Sequence, residues 1–281
     1  MKINAQKSHD LIIGVIFGGR SVEHEVSIIT AHQVMDALNT SGFRVLPIYI
    51  TKNGEWYAGN PLYNIKLYKN TSLNLESQKD VYRVSISPDR TVRQLIHHPN
   101  DTSRWSFKKP PHMWADVFFP AIHGTFGEDG TIQGLLDLAD VPYVGSGTVA
   151  SAIGMDKVKA KSLFRDAGIP VLDCIAISRD EYEDSPTDFI QKAEGFSRYP
   201  LIVKPISLGS SIGVSRCADS RELEEAVELA FKIDNGVLVE KALTEFVEIN
   251  CSVIGPPGHP SVCEQPCNDS NLLTFEAKYI S

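Results

Sequence analysis

The segment Leu11-Ile-Ile-Gly-Val-Ile-Phe17 carries no polar side chain and is closed by Gly18-Gly19. A strand with one face in water alternates apolar and polar residues. A run without that alternation must be covered on both faces, as a central strand of a parallel sheet is. It is far too short to span a bilayer and follows the polar stretch 4–10, so it reads as a buried strand and not as a signal peptide. Downstream, Val26, Ile29, Val34 and Leu38 keep helical spacing as far as Ser41-Gly42, and 43–50 reads as a second strand. The chain therefore opens with a βαβ unit, the start of an α/β fold.

Residues 51–114 are rich in turn formers and aromatics without a clean period and are expected to form hairpins and loops, with Lys52-Asn53-Gly54-Glu55 as a hairpin turn. Segments 115–120 and 141–144 read as further strands, separated by a Gly-rich loop and a helix over 132–138, which completes a doubly wound parallel-sheet domain. From Ala150 the pattern changes to a helix through Lys161, a strand at 171–177, a charged helix and a strand at 201–205. An amphipathic helix over 221–231 then carries Leu223, Val227 and Ala230 on one face, followed by strands at 236–240 and 248–254. A length of 281 residues calls for two or three domains, and the change of pattern at Ala150 marks where a second, mixed one is expected to start.

A formal charge of -8 with no basic patch argues against a nucleic-acid or anionic-membrane partner. Hydrophobic residues at 42% and charged residues at 22% fit an ordinary soluble chain. Five cysteines without repeated spacing fit a reducing, cytoplasmic setting better than a disulfide framework. Cys263 and Cys267 have no second Cys or His pair nearby, so no metal is assigned to them.

Gly145-Ser-Gly147-Thr-Val-Ala150 has the spacing of a dinucleotide fingerprint, but it falls late in its domain behind the poor strand Val141-Pro142 and reads as a decoy. Leu201-Ile-Val-Lys204-Pro205, followed by Gly209-Ser210-Ser211 and Gly213, is more specific. A lysine emerging from an apolar strand asks for an anion, and the Gly/Ser loop beyond it offers N–H groups and hydroxyls to phosphates. A flexible hairpin with a chance lysine is the bland alternative. Met155-Asp-Lys157 adds a second lysine near a helix start, and Glu240-Lys241 puts an acid at a strand end; either alone would pass for an exposed charge.

Taken in order, these segments resemble the D-alanine-D-alanine ligase family of the ATP-grasp fold. The matching text is Gly18-Gly-Arg-Ser-Val-Glu23-His-Glu-Val-Ser27, His123-Gly-Thr-Phe-Gly-Glu-Asp-Gly130, Gly145-Ser-Gly147, Met155-Asp-Lys157, Lys204-Pro205 with Gly209-Ser-Ser211, Glu240-Lys241, and Glu276-Ala-Lys-Tyr279. The resemblance implies a substrate domain over 1–149 ahead of ATP-grasp mixed α+β domains, a central subdomain at 150–244 and the start of a C-terminal one at 245–281. It implies ATP-dependent joining of two D-alanines through an acyl phosphate for peptidoglycan synthesis, with Mg²⁺ or Mn²⁺, in a family that is commonly dimeric.

Carried over position by position, Glu23 meets the ammonium of the first D-alanine, in a hydrogen-bonded set with Ser210 and Tyr279, and His123 lies near the substrate and the transferring phosphate. Lys157, Lys204 and Lys278, with the loop bearing Ser210 and Ser211, contact the ATP phosphates. Glu240, Lys241 and Leu243 hold the adenine and Glu248 the ribose. The family continues past the Glu-Ala-Lys-Tyr segment into its Mg²⁺ ligands, whereas this sequence stops at Ser281. No metal residue is therefore assigned, and the expectation is that these residues alone fold poorly in the second domain and do not turn over. A nucleotide- or D-alanine-binding remnant, or another D-amino acid peptide or depsipeptide ligase, stays open as an alternative.

Overall fold

The computed structural model describes residues 10–69, 74–98 and 111–266, so Cys267, Lys278 and Tyr279 lie outside the described residues. The chain divides into two units, Met1–Asp156 and Lys157–Ser281.

In the first unit β1 (Ile12–Gly18), α1 (His24–Thr40) and β2 (Arg44–Ile50) form the expected βαβ unit. β3 (Trp56–Ala58), β4 (Tyr82–Ser85) and β5 (Ile96–His97) then extend the sheet, before β6 (Val117–Pro120), α2 (Thr131–Leu138) and α3 (Thr148–Met155). The strand order is β5-β4-β3-β2-β1-β6, with β1 parallel to both β2 and β6 and the outer strands antiparallel. Alternate residues of β1 feed two cores. Ile13, Val15 and Phe17 pack with Ile28, Ala31 and Met35 of α1. Ile16 packs with Ile48, Phe118, Ile132 and Leu136 on the opposite face. The unpatterned apolar run is thus covered on both sides. The turn at 52–55 forms as expected, with Thr51 N–H donating to Glu55 O at 2.9 Å and Gly54 at φ 88°.

The segment 141–144 is not a strand. It makes only a bridge, Phe118 to Tyr143, because Pro142 has no N–H to give and serves solely as an acceptor from Phe118 N–H at 2.8 Å.

In the second unit α4 (Lys157–Asp166), β7 (Cys174–Ser178), α5 (Arg179–Asp184), α6 (Pro186–Phe196) and β8 (Leu201–Pro205) are followed by β9 (Ser215–Cys217), α7 (Ser220–Phe231) and β10 (Gly236–Lys241). The helix expected from Ala150 through Lys161 is two helices: Asp156 turns extended, at φ -82° and ψ 103°, and Lys157 N–H leaves the helical pattern to reach Ile206 O. The charged helix is also split, at Ser185-Pro186, since a residue before proline is forced off the helical region. The strand expected at 171–177 begins only at Cys174. The one at 248–254 shrinks to β11 (Val253–Ile254), paired with β12 (His259–Pro260) in a separate ribbon. The main sheet has the antiparallel order β7-β10-β8-β9. No described helix is long and apolar enough to cross a membrane.

Candidate functional site

Parallel strands deliver their functional loops at their carboxyl ends. In the first unit β1 and β6 bring there the loops that carry Glu23 and His123. The first loop turns sharply on Gly18, at φ 88°, where a Cβ would lie 2.2 Å from Ile50 O. Glu23 follows at the N-cap of α1, only 1% exposed. Gly124 of the second loop lies against it: at φ 69°, a Cβ there would fall 2.4 Å from Glu23 Oε2 and 2.7 Å from Ser21 Oγ. One buried hydroxyl fastens the two strand ends together. Ser27 Oγ accepts from Gly18 N–H at 2.8 Å and donates to Ala121 O at 2.7 Å. His24 Nδ1 donates to Gly19 O at 2.6 Å, since a carbonyl can only accept, and in that tautomer Nε2 accepts from the Tyr49 hydroxyl at 3.1 Å.

His123 Nε2 stands 2.9 Å from Thr30 Oγ1. His123, Thr30, Glu128, Gln133, Gly145 and Ser146 border a cavity of about 450 Å³. Glu128 keeps a solvent-facing side, yet partial desolvation raises its carboxyl pKa above the ordinary range; a hydrogen bond from Gly124 opposes the rise and the charge of Glu23 adds to it.

In the second unit the period-two alternation of strands builds the site. Leu201, Val203, Cys217, Val237 and Val239 point into the core beneath α6 and α7. Their neighbours Ile202, Lys204, Arg216 and Glu240 share the other face, by the register pairs Leu238–Lys204, Glu240–Ile202 and Ile202–Arg216. Those four border a cavity of about 550 Å³ with Leu172, Val214, Lys241, Leu243, Phe246 and Glu248 among its other walls. Lys204, Glu240, Lys241, Leu243 and Glu248, proposed from sequence for the nucleotide, thus meet around one space. Lys204 Nζ bonds Glu240 Oε1, and Lys161 Nζ reaches Glu240 Oε2 at 2.9 Å. Burial pushes the Glu240 carboxyl up, but the two ammonium groups outweigh it and hold its pKa below the ordinary value.

Lys157 begins α4 and turns its ammonium onto the carbonyls of Ile206 and Leu208, at the root of the Gly/Ser loop. In that loop Ser210 and Ser211 sit at φ 49° and 60°, a left-handed pair that side-chain-bearing residues adopt only under constraint. Buried Leu208 anchors its near end, and Ser207 N–H donates to Asp234 Oδ2 at 2.6 Å.

Sequence reasoning missed Lys161, Arg216 and Thr30. Lys161 stands four residues after Lys157 on one helical face, and Arg216 alternates in phase with the cavity face of the sheet, so each had a periodic signal.

Two family descriptions match the chain: D-ala D-ala ligase N-terminus over residues 12–146 and D-ala D-ala ligase C-terminus over residues 163–281. The D-alanine–D-alanine ligase of Chloroherpeton thalassium is 38% identical, with 95% of this chain and 71% of that protein covered. The one from Natranaerobius thermophilus is 39% identical, with 96% and 70% covered. Among solved structures, the VanG D-Ala:D-Ser ligase of Enterococcus faecalis is similar with a TM-score of 0.75 and 32% identity, covering 97% of this chain and 74% of that one. The D-alanine-D-alanine ligase of Coxiella burnetii also gives 0.75, at 29% identity, with 92% and 68% covered. The chain belongs to the D-alanine–D-alanine ligase family.

Proposed function

We propose that this protein joins two D-alanine molecules into D-alanyl-D-alanine, with ATP as co-substrate, for bacterial cell-wall precursors. The observation that carries the reading is the convergence of Lys204, Glu240, Lys241, Leu243 and Glu248 on one cavity in a chain of this family. Adenine would be held by Glu240, Lys241 and Leu243, the ribose by Glu248, and the phosphates by Lys204, Lys157 and the loop of Ser210 and Ser211. Phosphoryl transfer to the first D-alanine carboxylate gives an acyl phosphate and ADP. The amine of the second D-alanine then attacks, and the tetrahedral intermediate collapses with loss of phosphate. Glu23, buried at a strand end, would face the first ammonium, with His123 beside the reacting carboxylate. The roles of Tyr279 and Lys278 rest on family resemblance alone.

The reaction also calls for Mg²⁺. Among the described residues no three His, Cys, Asp or Glu side chains stand together to hold a cation. Free cysteines at 174, 217, 251 and 263 suit a reducing, cytoplasmic setting.

The likeness to a D-Ala:D-Ser ligase favours a second reading, in which D-serine is the second substrate. Both are tested by incubating the protein with ATP, Mg²⁺ and equimolar D-alanine and D-serine, and analysing the products. Because the two curated relatives are matched over 71% and 70% of their length, the assay is run on this chain and on a form extended to theirs. D-Alanyl-D-alanine as the main product supports the first reading, and D-alanyl-D-serine the second. ADP release without either dipeptide overturns both.

A further inference from the structure

We infer that Lys161 is a positioning and charge-setting residue of the nucleotide site, acting through Glu240; this rests on the nucleotide reading of that cavity. Glu240 has little room to move. Its side chain is 4% exposed on the central strand β10, and it is gripped from two elements: by Lys204 from β8 and by Lys161, at 2.9 Å, from α4. Lys161 is itself fixed, because its ammonium also donates to Leu172 O at 2.9 Å and its side chain is only 18% exposed. Leu172 is part of the cavity wall.

A single carboxylate bonded to Lys204 alone would cancel that lysine's charge and leave a neutral pair facing the polyphosphate. With Lys161 on the second oxygen, the trio keeps one net positive charge and Lys204 is only partly neutralised. The second ammonium also pins the carboxylate in one rotamer, which fixes where Lys204 can point. Lys161 needs no contact with the nucleotide to have this effect, since an unscreened charge in a partly buried cleft is felt over several ångströms.

The test is titration calorimetry of the 281-residue chain with ADP at low and high salt, in the unaltered form and in Lys161→Met, Lys161→Arg, Glu240→Gln and the double variant Lys161→Met/Glu240→Gln. Lys161→Met should weaken ADP binding about tenfold at low salt, with a smaller deficit at high salt. Lys161→Arg should bind close to the unaltered chain. In the Glu240→Gln background, where the adenine contact is already altered, Lys161→Met should cost little further affinity, because a neutral amide no longer cancels Lys204; a purely structural role for Lys161 predicts the same loss in both backgrounds. Equal affinity in Lys161→Met and the unaltered chain overturns the inference alone, as does an equal loss on Lys161→Met with and without Glu240→Gln. No ADP binding by the unaltered chain overturns the nucleotide reading and the inference with it.

Discussion

Glu240 shows what one side chain contributes when burial and pairing oppose each other. A carboxyl whose pKa is lowered on folding stabilises the fold above its ordinary value, here 4.5, and that contribution is lost as pH falls through the lower folded value. Stability of the second unit should therefore decline more steeply below pH 4.5, and Glu240→Gln should flatten the decline; urea denaturation at a series of pH values on either side of 4.5 checks it. Lys204→Ala should cost about 1.5–3 kcal/mol of ADP binding, the contribution of a charge-assisted bond, read by calorimetry. Unchanged affinity would remove Lys204 from the site. Lys204 was legible in the sequence because a charge set after Leu201, Ile202 and Val203 breaks an apolar run and needs a reason, whereas Glu240 alone would pass for an exposed charge and was reached through the family resemblance. Lys161 shared a helical face with Lys157, but its meeting with Glu240 joins residues far apart in sequence and had no local signal.

At the scale of elements, the strand-end clamp is the feature most open to test. Ser27→Ala removes the hydroxyl that bonds both Gly18 N–H and Ala121 O, and leaving such groups unpaired in a buried site costs about 1–3 kcal/mol. Thermal denaturation should show the first unit destabilised by that amount. Gly124→Ala should do more to catalysis than to stability. Its Cβ would press on Glu23 Oε2 at a φ of 69°, so the KM for D-alanine is expected to rise on the order of tenfold or more while that for ATP stays put. An equal rise in both would detach Glu23 from D-alanine. The βαβ unit, the turn at Gly54 and the helix over 131–138 were readable because periodicity and glycine placement are local signals. The break at Asp156 was not, because it is decided by Lys157 N–H bonding Ile206 O, far along the chain; the bridge at Tyr143 and the ribbon at 253–260 had local signals, in Pro142 and in the Gly255-Pro-Pro-Gly258 turn, that periodicity alone passes over.

For the whole molecule, each unit has its own core, and the second rests on α6 and α7 packed against one sheet face while the other face is left to the cavity. Leu223, fully buried there, should cost about 2–5 kcal/mol when cut to alanine and lower the unfolding transition of the second unit in calorimetry. The family was legible from the order of seven short motifs, none of which specifies it alone. In the proposed reaction a D-alanine carboxylate attacks the γ-phosphate of ATP. It is tested most directly by supplying D-alanine labelled with ¹⁸O in its carboxyl group and measuring the label in the phosphate released alongside dipeptide. One labelled oxygen carried into each phosphate is the predicted result. Dipeptide formed with unlabelled phosphate, or with AMP and pyrophosphate, would exclude that attack.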